Sequence, residues 1–223
     1  MTGTAVPRLL TAVGGLAVAF VVLSLLVAVG ALHSLDAVVS SSLAAIWSRP
    51  LQPLFQGIAL LGGVEATSLV VLAIFVVLWR RVSLVAGLAV GAFFGAVVIE
   101  LAFKRFFIHP GPPPGISHPD GPSLSDLADS SLQLQASFPS GHMTRTVIVY
   151  GLLAFVVTRL APDGPARRLA FPIAVALCLL MAFDRVYLEV HWASDVLGGV
   201  ILGLLALVVS ITWLETRGGT AVE

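Results

Sequence analysis

The chain has 223 residues, of which 58% are hydrophobic and only 11% charged, and its mean hydropathy is +1.02. A soluble domain carries about 25% charged residues, so this composition excludes an ordinary cytosolic domain and a disordered chain and points to lipid as the solvent. The 12 basic and 12 acidic residues cancel, which leaves no electrostatic footprint for nucleic acid.

A helix needs about 20 apolar residues to cross a bilayer. The first predicted span is 9–32, uncharged and too long for the apolar stretch of a signal peptide. Arg49, Pro50 and Pro53 interrupt the next apolar stretch, so 35–62 reads as an interfacial or re-entrant helical segment. The second span is predicted over 63–79, with Glu65 near its start, and the third over 82–107. Six prolines and three glycines then mark 109–137 as a loop in water. The fourth, fifth and sixth spans are predicted at 141–160, 169–183 and 191–214. The expected fold is therefore all-α, a six-transmembrane-helix bundle with an interfacial helical segment before the second span, forming a single membrane domain over 1–223. Gly87, Gly91 and Gly95, and likewise Gly199 and Gly203, recur every four residues and read as packing stripes. The lone cysteine, Cys178, reads as a small core residue.

Loop charges set orientation. With a cytoplasmic N-terminus, seven arginines (8, 80, 81, 159, 167, 168, 217) fall inside and four basic residues (Arg49, Lys104, Arg105, Arg185) outside. That bias places 109–137 and 184–191 on the non-cytoplasmic face. Short termini point to a bacterial plasma membrane.

Ionisable groups inside a membrane cost about 2.5–3.5 kcal/mol each on insertion scales and mark functional sites. Here they gather at the helix ends of one face: Glu100, Lys104 and Arg105; His142 and Arg145; Asp184, Arg185 and Glu189; His191 and Asp195. Such a set suits an anionic, phosphate-like group. Ser140 stands where a helix N-cap is expected, and the N–H groups after it, with the helix dipole, can hold a phosphate. Gly141 allows close approach, and His142 is placed to move a proton. His191 and Asp195 are four residues apart, on one helix face. A carboxylate on one imidazole nitrogen leaves the other free for attack. Arg185 offers a planar fork of donors to phosphate oxygens. Each pattern alone also fits a structural role, as a helix start or a His–Asp tie between helices. Glu100 is expected to pair with Lys104 along the helix, His118 to be solvated, and Tyr187 and Trp192 to anchor the interface.

Together these residues resemble the type 2 phosphatidic acid phosphatases, whose site is shared with vanadium haloperoxidases and glucose-6-phosphatase. Pro139-Ser140-Gly141-His142 matches one family motif in full. Arg185, His191 and Asp195 match another, with Asp184 where serine is usual. Lys104 matches the start of a third, but Gly111 stands before Pro112 where the family has arginine. The resemblance implies that His191 attacks phosphorus, Asp195 orients it, and His142 protonates the leaving oxygen. It implies that Lys104, Ser140, Gly141 and Arg185 bind phosphate, with Arg105 or His109 filling the gap left by the missing arginine. It implies no cofactor, and the sequence holds no acidic cluster of the metal-ligand type. The expected activity is hydrolysis of a lipid phosphate in the bilayer: a polyprenyl diphosphate, phosphatidic acid or phosphatidylglycerol phosphate. Non-catalytic binding or transport of an anionic lipid, and phosphoryl transfer to another acceptor, are the competing readings. Nothing in the sequence points to an oligomeric state.

Overall fold

The computed structural model describes residues 5–113, 117–118 and 136–218, and among these there are nine α-helices and no β-strand. They are α1 (Ala5–Ala28), α2 (His33–Ala44), α3 (Gln52–Gly62), α4 (Val64–Arg81), α5 (Leu84–Gly87), α6 (Gly91–Phe106), α7 (Gly141–Leu160), α8 (Pro165–Tyr187) and α9 (Ala193–Trp213). Six helical stretches are long and apolar enough to cross a membrane, one at each predicted span. Most of the loop expected over 109–137 lies outside the described residues.

Boundaries shift where local chemistry overrides hydropathy. The single segment expected over 35–62 is two helices, α2 and α3, separated by a turn and a short 3-10 stretch at Arg49–Leu51. Pro50 and Pro53 lie at the starts of the 3-10 stretch and of α3, where a missing N–H costs nothing. Gly63, extended at φ −63° and ψ 158°, then bends the chain between α3 and α4. Gly30, at φ +71°, makes the turn after α1.

The centre of the bundle is α7. Of its apolar window 61% is buried, against 22–39% for the other five spans. It is flanked by α8 and α9, α3, α4 and α6 also pack on it, and α1 packs on α9. Ile148, Leu152 and Val156 of α7 share one core with Phe20 and Leu23 of α1, Ile74 and Leu78 of α4, Phe93 of α6 and Leu202 of α9. The outward residues, such as Val18, Leu25, Leu69 and Leu179, are equally apolar, as lipid contact demands.

Glycines set the α7–α9 distance. A Cβ on Gly199 would stand 2.5 Å from the Ser140 carbonyl, and one on Gly203 would stand 2.8 Å from the Thr144 carbonyl. Gly151 of α7 leaves space for Leu207 in the same way. The other expected stripe is corrected: Gly91 and Gly95 have no neighbour within 4 Å of where a Cβ would stand, and only Gly87 of the three meets a partner, Phe75. Spacing alone does not say which face of a helix meets protein.

Candidate active site

The end of the bundle formed by the C-termini of α6 and α8 and the N-termini of α7 and α9 collects the polar residues. His142, in the first turn of α7, lies within electrostatic reach of Arg185, Arg145, His191 and Lys104. These four come from α8, α7 itself, the turn before α9, and α6.

The Pro139–His142 turn is held from two sides. The Ser140 N–H donates to the Asp195 carbonyl at 3.0 Å, and the Ser140 carbonyl accepts from the Thr144 hydroxyl at 3.0 Å. Ser140 is at the N-cap position, but its hydroxyl makes no capping bond. It is fully enclosed and has no hydrogen-bond partner among the described residues. The first-turn N–H groups of α7 have no intrahelical acceptor either, so hydroxyl and amides form one set of donors. Gly141 also meets a steric need within the protein. The place its Cβ would take is occupied by the Glu100 carboxylate, with Arg145 Nη1 at 2.8 Å.

Glu100 is 2% exposed and pairs twice, with Lys104 Nζ at 3.4 Å and Arg145 Nη1 at 3.1 Å. The first pair is the helical i,i+4 contact expected. The second joins α6 to α7, and Arg145 Nε donates onward to the Gly62 carbonyl at 3.1 Å. No local spacing announced Arg145 as the partner.

Arg185 is buried, and its Nε donates to Asp184 Oδ2 at 2.7 Å. The chain then turns through Glu189, which adopts the left-handed conformation at φ 52°. Glu189 accepts from the Ser40 hydroxyl at 3.1 Å. The His191 and Val190 N–H groups donate to the Arg185 carbonyl.

Asp195 is enclosed completely and is the third residue of α9. Its Oδ2 accepts from the Trp192 N–H at 2.9 Å, a reach back to the N-cap backbone that fixes the carboxylate, and His191 Nδ1 stands 3.5 Å from the same oxygen. Its Oδ1 stands 3.2 Å from His109 Nε2. The His109 ring therefore meets Asp195, while Arg105 is exposed with its guanidinium 5.8 Å from the Phe106 ring centre. Gly111, in the place of the family arginine, packs against Ser137, whose Cβ is 3.3 Å from where a glycine Cβ would stand.

Sequence reasoning missed the part played by α2. Asp36, buried, accepts from the Ser194 N–H at 2.8 Å and the Ser194 hydroxyl at 2.7 Å. With Ser40 on Glu189, this short helix grips the turn that carries His191 at both ends. The signal was Asp36 and Ser40, four apart on one face of a helix in which six of twelve residues are polar. Two expectations are corrected. Tyr187 is a buried residue packed 4.4 Å from Phe55, its hydroxyl accepting from the Ser48 N–H. His118 stacks on Trp47 at 3.9 Å, and its main-chain N–H donates to the Leu188 carbonyl.

Comparison with known proteins bears on the family. The model of the PAP2 superfamily matches residues 82–218. Phosphatidylglycerophosphatase B of Bacillus subtilis is 37% identical over 81 residues, 36% of this chain and 40% of that protein. Decaprenylphosphoryl-5-phosphoribose phosphatase of Mycobacterium tuberculosis is 35% identical over 127 residues, 56% of each chain. This chain thus spans about half the length of the curated relatives it matches. The crystal structure of a transmembrane PAP2 type phosphatidylglycerolphosphate phosphatase from Bacillus subtilis superposes with a TM-score of 0.77 at 25% identity, covering 93% of this chain and 98% of the other. The six apolar helices and this likeness identify an all-α, multi-pass membrane protein.

Proposed function

Because the chain belongs to the PAP2 superfamily, we propose that it hydrolyses a lipid phosphate through a covalent phosphohistidine. The observation that carries the reading is the meeting of His142, His191, Lys104 and Arg185 at one end of the bundle, with Asp195 beneath His191.

The roles follow from the chemistry. His191, with Nδ1 toward Asp195, presents Nε2 to phosphorus, and a P–N bond forms as the P–O bond to the lipid breaks. Protonated His142 gives its proton to the departing lipid oxygen and then takes one from the water that cleaves the P–N bond, releasing inorganic phosphate. Lys104, Arg185, the Ser140 hydroxyl and the first-turn amides of α7 offset charge on the phosphoryl oxygens in the transition state. Basic groups outnumber acidic ones around the phosphate position, so these cations fill the place that a divalent metal takes in other phosphatases.

A site at helix ends suits a substrate with its phosphate in water and its tail in lipid. The seven-to-four basic bias supports a site on the non-cytoplasmic face of the plasma membrane. The relatives' names point to two kinds of substrate, a glycerophospholipid monoester and a polyprenyl-linked phosphate. The test is phosphate release by purified protein from phosphatidylglycerol phosphate, phosphatidic acid, a polyprenyl diphosphate and decaprenylphosphoryl-5-phosphoribose. Release from at least one, retained in EDTA and abolished in a folded His191→Ala variant, is expected. Absence of release from all four, or His191→Ala activity within tenfold of the parent, refutes the reading.

A further inference from the structure

We propose that His109 is a positioning residue that acts through Asp195, so that His109, Asp195 and His191 work as one relay. The proposal rests on the phosphatase reading above for its kinetic consequence, but its structural basis is separate.

The two oxygens of Asp195 are divided between two imidazoles. Oδ2 faces His191 Nδ1 at 3.5 Å, and Oδ1 faces His109 Nε2 at 3.2 Å. His109 Nε2 and Asp195 Oδ1 are buried, and neither hydrogen-bonds to any other described group. Each is therefore the group on hand to satisfy the other, and buried polar atoms are rarely left unmatched.

The approach of His109 is built into the main chain. Its carbonyl accepts from the Ser137 N–H at 2.9 Å and the Ser137 hydroxyl at 3.2 Å. Pro110 bridges to Ala136, and its carbonyl accepts from Trp192 Nε1 at 3.0 Å. Phe138 meets the His109 ring edge-on, with centres 6.4 Å apart. The segment bearing His109 is thus tied both to the residues entering the Pro139–His142 turn and to the neighbour of His191.

The chemistry needs such a partner. A neutral His109 donating from Nε2 leaves Asp195 ionised and turned so that Oδ2 receives the Nδ1–H of His191. Nε2 of His191 then keeps its lone pair for phosphorus. Once phosphorylated at Nε2 and still protonated at Nδ1, the His191 ring is cationic and faces the same carboxylate. His109 touches no reacting atom in this scheme, which differs from the phosphate-binding role that the missing arginine suggested for it.

Kinetics separate the two roles. Removing a group that binds phosphate equally in the ground and transition states raises KM, whereas loosening a relay lowers kcat. With a lipid phosphate that the parent protein turns over, His109→Ala is expected to lower kcat at least tenfold with KM within twofold, and His109→Gln, which keeps an N–H donor, to recover part of it. A readout independent of turnover uses protein labelled with 15N-histidine. Asp195→Asn should shift the Nε2 resonance of His109 as well as the Nδ1 resonance of His191. Unchanged kcat in folded His109→Ala, a rise in KM alone, or a His109 resonance indifferent to Asp195→Asn overturns the proposal. If His109→Ala does not fold, His109→Gln and the nitrogen shifts decide. A parent that releases no phosphate from any lipid refutes the phosphatase reading, and the nitrogen shifts still decide whether His109 and Asp195 are partners.

Discussion

Glu100 shows how a buried charge is made tolerable. Taking a carboxylate from water costs several kcal/mol, and here Lys104 and Arg145 stand at 3.4 and 3.1 Å to offset it. Removing the carboxylate takes the counter-charge from Arg145 Nη1, and breaking such a buried pair typically costs about 3–5 kcal/mol. Glu100→Ala should therefore destabilise the detergent-solubilised protein by that order, read from thermal unfolding. The double variant Glu100→Leu, Arg145→Met, with no stranded arginine, should recover much of the loss. Additive losses in the double variant would show that the two side chains are not coupled. Of this cluster, the Glu100–Lys104 contact was legible because both residues lie on one helix. The Arg145 partner and the fit of Gly141 over Glu100 were not, because they depend on how α6 and α7 dock.

At the scale of the element, the α7–α9 seam depends on the absence of side chains. In lipid no hydrophobic force drives helices together, so close backbone approach and van der Waals contact must do it. A Cβ on Gly203 would meet the Thr144 carbonyl at 2.8 Å and Val147 Cβ at 2.7 Å, atoms that cannot swing aside. Gly203→Ala should cost about 1–3 kcal/mol of stability by overpacking and reduce phosphate release. Gly95→Ala, at an open position of α6, should be neutral or stabilising by up to about 1 kcal/mol through helix propensity. Thermal unfolding of both variants in one detergent checks the contrast, and equal effects would refute it. The two stripes look identical in sequence, since a four-residue period does not distinguish a lipid-facing ridge from a protein-facing one. The same ambiguity hid the role of α2. The break at Arg49, Pro50 and Pro53 suggested an interfacial or re-entrant segment, yet Asp36 and Ser40 direct their oxygens to Ser194 and Glu189. The number of spans and most of their boundaries, by contrast, follow from hydropathy, because the length of a span is set by the bilayer and not by its neighbours.

For the whole molecule, six spans in alternation put Ile108 and Asp163 on opposite faces. Ile108 follows α6 at the site end and is 93% exposed, and Asp163 lies in the turn between α7 and α8, exposed as well. In a Cys178→Ala background, Ile108→Cys should react with an impermeant thiol reagent added to intact cells, and Asp163→Cys only after lysis. The reverse pattern would invert the topology. The same alternation explains why the site was legible from the sequence at all. Charged residues far apart in the chain share a helix end, and membrane depth reports proximity that sequence distance hides. Within that shared end, main chain packs closely on main chain at Gly199 and Ser140, and the Ser140 N–H bonds the Asp195 carbonyl. The spacing between the Ser140–His142 turn and the first turn of α9 is thus held by backbone atoms, which do not reshuffle as rotamers do. Orienting reacting groups can account for about 7–11 kcal/mol of a barrier. In the proposed reaction, part of that ordering entropy is lost once, when α7 and α9 assemble, and not again each time a lipid arrives.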